Sequence, residues 1–356
     1  MEKFRIIEIQ DMEPLRARFL AFGERNNAPT YSNSRIDWLY RSGSGKPGNP
    51  CGPTDTWLAV SGGGKEDVIG CGSLYPCTFY SRGEAIPAAV AVDFRVDDQY
   101  RVFGPALKIQ RAIISASREK GYRFAFVYPN EESIGVFARV GYQPVGTSKI
   151  WIRILKSKGK LSGIVKSPAL LVVLPALIDG ILSAMHWLRY RPGFGKFHSE
   201  ILDRCSDDFN DLWKREKDSF DFVPEKTAEF LNWRYSSHPA KKHSYFCLFD
   251  ADTRTLRGFV LFSLEDDNVS IKDVFPANGR WLEPLLWKFI SEMKRRDAQS
   301  VKLTYFGSDD FIRTIRRYGF VERESAREYM FCFQADVSDG YLELLRDRRT
   351  IFLFFG

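Results

Sequence analysis

The sequence predicts a mixed α+β protein in which one domain occurs twice, in tandem. Three observations carry this. At 356 residues the chain is long for one compact core and comfortable for two. Strand-like alternation and helical periodicity follow one another in similar order in both halves. Particular residues also recur: Gly141 and Gly319 lie 178 residues apart, and Arg139 meets Arg317 and Tyr142 meets Phe320 at the same offset. Each of these glycines follows a helical stretch and precedes an aromatic. Asp37-Trp38-Leu39-Tyr40 is echoed by Asn232-Trp233-Arg234-Tyr235 at an offset of 195, a change that an intervening linker and unequal loops account for. Self-similarity over this many elements reads as two copies of one fold, not as a solenoid. The expected division is a domain at 1–155, a linker at 156–196 and a second domain at 197–356, each domain a mostly antiparallel sheet flanked by helices.

Composition bounds the function. Apolar residues make up 44% and aromatics 15%, enough for two real cores. A net charge of +7 suits anionic partners: phosphate-bearing small molecules, nucleic acid or acidic lipid. The six cysteines are scattered without a Cys-x-x-Cys pair, and the first ten residues resemble a charged strand, not a leader. Both point to reduced thiols and a cytoplasmic protein. The four histidines do not cluster with cysteines at zinc spacing, so no metal is expected.

In order, Phe4–Ile9 alternates as a strand and Pro14–Phe22 as a helix, with Asp37–Arg41 a helix end. Gly43-Ser44-Gly45-Lys46 is not a P-loop, because Tyr40 stands where the first glycine belongs and Pro47 where a Ser or Thr would bind magnesium. Strands follow at Thr56–Val60, Val68–Tyr75, Cys77–Tyr80 and Ala85–Val96, with Gly62-Gly63-Gly64 as a hairpin turn. A helix runs to Lys120, and Ser148–Leu155 closes the first domain. Residues 156–196 differ. Lys156, Lys158, Lys160 and Lys166 precede an apolar run, and Arg189 and Arg191 close it. Ser167–Leu188 has about the length of a bilayer span, but Pro168, Pro175, Asp179, Gly180 and His186 interrupt it. A helical linker packed on the domains, an interfacial helix with basic flanks, and a transmembrane helix are the three readings.

The stretch Ala91–Gly146 concentrates the chemistry. A strand ends near Val96, and a loop with Arg101, Gly104 and Ala106 leads into a helix. The first N–H groups of a helix lack internal partners and face outward, so such a loop suits an anion. Arg-x-x-Gly-x-Ala resembles the pyrophosphate loop of the GNAT N-acetyltransferase superfamily. Asn130, Ser133, Arg139, Gly141 and Tyr142 fall at the spacing of a second segment of that family. The resemblance covers about residues 1–155 and implies acetyl-CoA, or another acyl-CoA, as co-substrate. Arg101 and the backbone of Val102, Phe103, Gly104, Pro105 and Ala106 would then hold the pyrophosphate. Phe94, Arg95 and Val96 would line the thioester, with Asn130, Ser133 and Phe137 along the donor. Asp93 is a candidate base, because it alone interrupts its strand, and Glu84 is a second choice. The family's usual tyrosine acid is here Phe137, so Tyr128, Tyr142, a water or a residue of the second half must donate instead.

At the first loop's offset the second half has Gly279, Leu282 and Pro284, with Glu283 beside them. Bulk and negative charge there leave one expected donor site, in the first half. The resulting expectation is an acyltransferase acting on an amine of a small molecule or glycan, such as an amino sugar of a bacterial cell-envelope or exopolysaccharide pathway. It would be cytoplasmic, with peripheral contact to the inner membrane face through 161–190. The rivals are a FemAB-like transferase using aminoacyl-tRNA, and a scaffold with a vestigial donor fold. Tandem proteins of the FemAB-like and Eis-like kinds resemble it in architecture. No basic run with interleaved aromatics favours nucleic acid. The sequence leaves the oligomeric state open.

Overall fold

The structure, a computed structural model, describes residues 4–9, 11–28, 31–40, 49–62, 66–157, 170–188, 196–323, 329–334, 340–349 and 351–354. The glycine-rich pieces at 43–46 and 63–64, and linker residues 158–169 and 189–195, lie outside this set.

The first half runs β1 (Phe4–Ile9), α1 (Arg16–Arg25), α2 (Asn33–Leu39), β2 (Asp55–Ser61), β3 (Val68–Ser81), β4 (Glu84–Val96), α3 (Pro105–Glu119), β5 (Phe124–Val127), α4 (Ile134–Arg139), β6 (Gln143–Thr147) and β7 (Lys149–Ile154). Helix α5 (Leu170–Trp187) follows. The second half runs β8 (Phe197–Leu202), α6 (Asp207–Glu216), β9 (Val223–Pro224), α7 (Ala228–Leu231), β10 (Ser244–Asp250), β11 (Leu256–Glu265), β12 (Asn268–Phe275), α8 (Leu282–Arg295), β13 (Ser300–Gly307), α9 (Asp309–Arg317), β14 (Val321–Arg323), β15 (Tyr329–Gln334), α10 (Tyr341–Arg346) and β16 (Phe352–Phe354). The two strands expected at 68–75 and 77–80 are one continuous β3, which passes through Pro76.

Two sheets result. The first has the order β1-β2-β3-β4-β5-β15-β6, with β9 on β3. The second, read from its other edge, is β8-β10-β11-β12-β13-β7-β14, with β16 on β13. The orders coincide position by position: β4–β5 and β12–β13 are the parallel pairs, and each is followed by an antiparallel strand. The helix stops match as well. Tyr142 N–H donates to Phe137 C=O and Phe320 N–H to Ile315 C=O, both at 3.1 Å, the six-to-one bond that closes a helix at a left-handed glycine. The duplication read from Gly141 and Gly319 is thus present in backbone geometry.

The contiguous division expected from the sequence is interleaved in space. One compact unit contains Met1–Thr147, Asp218–Ala240 and Glu328–Asp347; the other contains Ser148–Lys217, Lys241–Arg327 and Arg348–Gly356. Strand β7, expected to close the first domain, pairs with β13 and β14 of the second sheet. Its counterpart β15 lies between β5 and β6 of the first sheet. The same apolar alternation serves either sheet, so the sequence pattern of a strand does not specify its partner.

The first unit has a core on each side of its sheet. One gathers Ile109 and Ile113 of α3 with Trp57, Ile69, Leu74, Phe137 and Tyr142. The other gathers Phe19 and Phe22 of α1 with Tyr31, Leu39, Tyr40, Leu58, Cys71 and Trp233. In the second unit α5 lies along α8. His186 stacks on Trp287 at 5.4 Å, its Nε2 lies 2.8 Å from the Ser291 hydroxyl, and Trp287 Nε1–H donates to His186 C=O. Among the described residues no helix is long and apolar enough to cross a membrane.

Candidate active site

The first sheet splits at its centre. Strands β4 and β5 pair at Ala88–Val90 with Phe124–Phe126, and their register ends there. Beyond it β5 stays with β15 at Val127, and β4 stays with β3 as far as Val96. A gap therefore opens between the ends of β4 and β5. Beside it β4 bulges: Val92 faces Ser73 and Arg95 faces Cys71, so Asp93 and Phe94 have no register partners on β3. Asp93 takes φ +53°, a left-handed conformation that costs a non-glycine residue about 1–3 kcal/mol.

Side chains hold that conformation. The Arg35 guanidinium donates to both Asp93 carboxylate oxygens, at 2.7 and 2.9 Å, and the Tyr40 hydroxyl donates to Oδ2 at 2.6 Å. The Asp93 carbonyl accepts from the Tyr31 hydroxyl at 3.2 Å and from the Cys71 thiol at 2.9 Å. Tyr40 continues to Ser73 and Ser73 to Thr56. Burial, and then the Asp93 charge and hydrogen bond, push the Tyr40 phenol well above its ordinary range, so it is a donor. Burial opposes the Arg35 charge, but Asp93, together with Tyr40 and Tyr31, raises the Arg35 pKa on balance. Burial pushes the Cys71 thiol up to about 12, which rules out a thiolate nucleophile at neutral pH. Asp93, the expected base, is thus a carboxylate with both oxygens engaged.

The loop after β4 enters α3 through Gly104, which takes φ +85° and precedes Pro105 at the first helical position. A Cβ at Gly104 would meet nothing within 4 Å, so the helix mouth is open. Arg101 bonds to Asp98 at 2.8 Å and Glu132 at 3.3 Å, with half of its side chain exposed. Ala106 packs on the α3-side core, and Pro105 and Val96 are buried. The side chains of Val102 and Phe103 lie outside the described residues. Arg95 donates to the Asn26 carbonyl.

The remaining predicted residues divide by role. Asn130 and Ser133 cap each other: Asn130 Oδ1 accepts from Ser133 N–H at 2.9 Å, and Ser133 Oγ from Asn130 N–H at 3.1 Å. Phe137 is buried between Phe94, at 5.3 Å, and Tyr142, at 5.1 Å. Tyr142 is buried too, and its hydroxyl has no hydrogen-bond partner among the described residues. Tyr128 follows β5 at the gap and is 40% exposed.

The second sheet parts in the same place, and its gap is filled. β12 and β13 pair as far as Ile271 and Leu303, just before a bulge at Lys272 of β12, which has no partner on β11. There β16 pairs with β13, Tyr305 facing Phe354 and Gly307 facing Phe352. Gly307 permits this approach, since a Cβ on it would lie 2.1 Å from the Ile351 carbonyl oxygen. At the mouth of α8, Leu282 and Pro284 are buried and Glu283 pairs with Arg317 at 2.7 Å. Among the described residues no group of three or more His, Cys, Asp or Glu could hold a metal.

Two residues of the first site were missed in the sequence, Arg35 and Arg234. Arg35 sits in α2 with no motif to mark it. Arg234 did leave a signal: it takes the place of Leu39 in the repeated Trp-x-Tyr segment, and Leu39 is buried. A charge in one copy where the other has core is the pattern that would have found it.

No family model matches the chain, and no curated protein does. Solved structures do. A GCN5-related N-acetyltransferase from Anabaena variabilis aligns with a TM-score of 0.61 at 12% identity, over 94% of this chain and 74% of that one. The tandem GNAT protein from the clavulanic acid biosynthesis pathway aligns with a TM-score of 0.55 at 11% identity, over 94% of this chain and 100% of that one. Eis1 from Mycobacterium abscessus aligns with a TM-score of 0.57 at 13% identity, over 94% and 74%. The fold is therefore that of the tandem GNAT proteins.

Proposed function

We propose that this chain transfers an acyl group from CoA to an amine, with the donor held by the first unit. The observation that carries the reading is the open gap between β4 and β5, beside a braced bulge and the accessible mouth of α3. The corresponding gap in the second unit is occupied by β16. A thioester donor needs three things here. Its pyrophosphate needs donors, which Arg101 and the first N–H groups of α3 supply. Its carbonyl oxygen needs a backbone donor as it gains charge, and the unpaired edge of β4 past Val90 fits. As the N–C bond forms and the C–S bond breaks, the nitrogen loses a proton and the sulfur gains one. Tyr128, next after β5 at the gap, carries a phenol that suits the donor role to sulfur. Asp93, tied to Arg35, suits positioning of the bulge; a solvent molecule then takes the amine proton. Calorimetry with acetyl-CoA and CoA tests the reading. Micromolar binding, weakened about tenfold or more in Arg101→Glu, is expected; no binding to the wild-type chain overturns it.

A second reading concerns where the acceptor lies. Helix α5 turns His186 inward, while Val173, Leu177, Ile181, Trp187 and Leu188 are 53–74% exposed. Its sequence flanks carry Lys156, Lys158, Lys160, Lys166, Arg189, Arg191 and Lys196. An apolar helix face between basic flanks matches an anionic bilayer surface, and an amino sugar of an envelope or exopolysaccharide pathway is an amine found there. Flotation with phosphatidylglycerol vesicles tests this. Binding lost in Leu177→Asp/Ile181→Asp and absent with phosphatidylcholine is expected. Indifference to both vesicles overturns it, as does a dimer in light scattering that the same substitutions dissolve.

A further inference from the structure

Arg234 is a cation enclosed by rings. Its guanidinium carbon lies 5.5 Å from the Trp38 ring, 5.7 Å from Tyr75 and 5.6 Å from Tyr235. It forms no ion pair among the described residues. Of the other partly buried arginines of this unit, Arg16 pairs with Asp37 and Arg35 with Asp93, while Arg95 donates to the Asn26 carbonyl. Arg35 lies 5.9 Å from the same Trp38 ring, adds positive charge there and is committed to Asp93. The ring phenols do not neutralise it. Tyr75 stays protonated because burial outweighs the pull of Arg234. A partly buried guanidinium without a counter-charge attracts an anion more strongly than one in water.

Two further features place it at the gap. Arg234 sits on a π turn, Asn232–Ser236, where the helix widens after α7; such turns recur at functional sites. Tyr75, whose ring lies 5.7 Å from the Arg234 guanidinium, pairs with Val90, the last residue of β4 that meets β5. The aromatic faces that enclose the cation also suit the flat, apolar face of a sugar or ring.

We propose that Arg234, ringed by Trp38, Tyr75 and Tyr235, anchors an anionic group, a carboxylate or phosphate, on the acceptor amine. The proposal rests on the acyltransferase reading for the identity of the ligand as acceptor, but not for the anion site itself. Acceptors would thus be amino acids, amino sugar phosphates or similar zwitterions, and plain amines would bind poorly.

The test uses the full chain and its tryptophan fluorescence, because Trp38 and Trp233 stack beside Arg234. Inorganic phosphate and succinate are the probes, titrated at fixed ionic strength. A saturable change with one or both is expected. It should weaken about 10- to 100-fold in Arg234→Gln, the loss of a charge-assisted contact, and survive in part in Arg234→Lys. The response of each probe tells phosphate from carboxylate. No saturable change in the wild-type chain overturns the proposal, whether or not Arg234→Gln folds by circular dichroism. So does a change that persists in Arg234→Gln, or one that disappears in Arg101→Glu instead. CoA calorimetry on the same samples separates the two ideas. Loss of anion binding with intact CoA binding is expected for Arg234→Gln. Failure of CoA binding in the wild type would sink the acyltransferase reading and leave the anion site standing.

Discussion

Trp38 and Trp233 exchange hydrogen bonds. The indole N–H of Trp38 donates to the carbonyl of Trp233 at 2.9 Å, and that of Trp233 donates to the carbonyl of Trp38 at 3.5 Å. Their rings stack at 5.5 Å with 22° between planes. The two are the matching tryptophans of the repeated segment, so the duplicated element meets its own copy face to face. Trp233 is 1% exposed and ties the segment 218–240 to α2. Trp233→Ala should therefore cost about 3–5 kcal/mol, and Trp38→Phe, which keeps the stack and loses a hydrogen bond, about 1 kcal/mol. Urea unfolding followed by circular dichroism measures both; equal, small losses would mean that the pair is incidental.

The Asp93–Arg35 pair separates positioning from proton transfer. Removing one partner leaves a largely buried charge alone, so Asp93→Ala should destabilise by about 3–5 kcal/mol, and the double variant Asp93→Ala/Arg35→Met by less than the sum. If Asp93 positions the bulge, Asp93→Asn retains measurable turnover and the acid limb of the pH–rate profile does not move. Disappearance of that limb would assign Asp93 the base role instead.

Gly307 admits β16 to the second sheet. A Cβ on it would collide with the Ile351 carbonyl, so Gly307→Ala should expel or shift the strand. Hydrogen exchange at Phe352–Phe354 should rise by an order of magnitude or more. CoA affinity, measured on the same variant, should stay unchanged, because the donor is assigned to the first unit.

Lys294 reports on how α5 sits on α8. Burial lowers its pKa to about 8, and its ammonium donates to Leu182 C=O and Ser183 Oγ of α5. A lysine whose folded pKa lies below its unfolded one binds fewer protons when folded. Stability must then rise as pH climbs from about 8 toward 10, and the cost is fully present below 8. Chemical denaturation at pH 7, 8.5 and 9.5 should show that rise in the wild type and a flatter trend in Lys294→Met; parallel trends would contradict it.

Much of this was legible in the sequence, for a physical reason. Alternation, helix stops such as Gly141 and Gly319, and the Arg101–Ala106 loop are local, and local chemistry survives without a structure. Strand partnership is not local. Cys332 pairs with Phe126 of β5, far off in the chain, and nothing in Tyr-Met-Phe-Cys-Phe-Gln states which edge it will join. For the same reason the anchoring of Asp93 by Arg35 was hidden: the two meet only once the bulge forms.

The exchange of β7 and β15 has a consequence for synthesis. The first sheet lacks its sixth strand until Tyr329–Gln334 has left the ribosome, long after β1–β6 are free to fold. Until then β5 and β6 expose two unsatisfied edges, the kind that recruits stray strands. Each sheet is completed only by a strand from the other half of the chain.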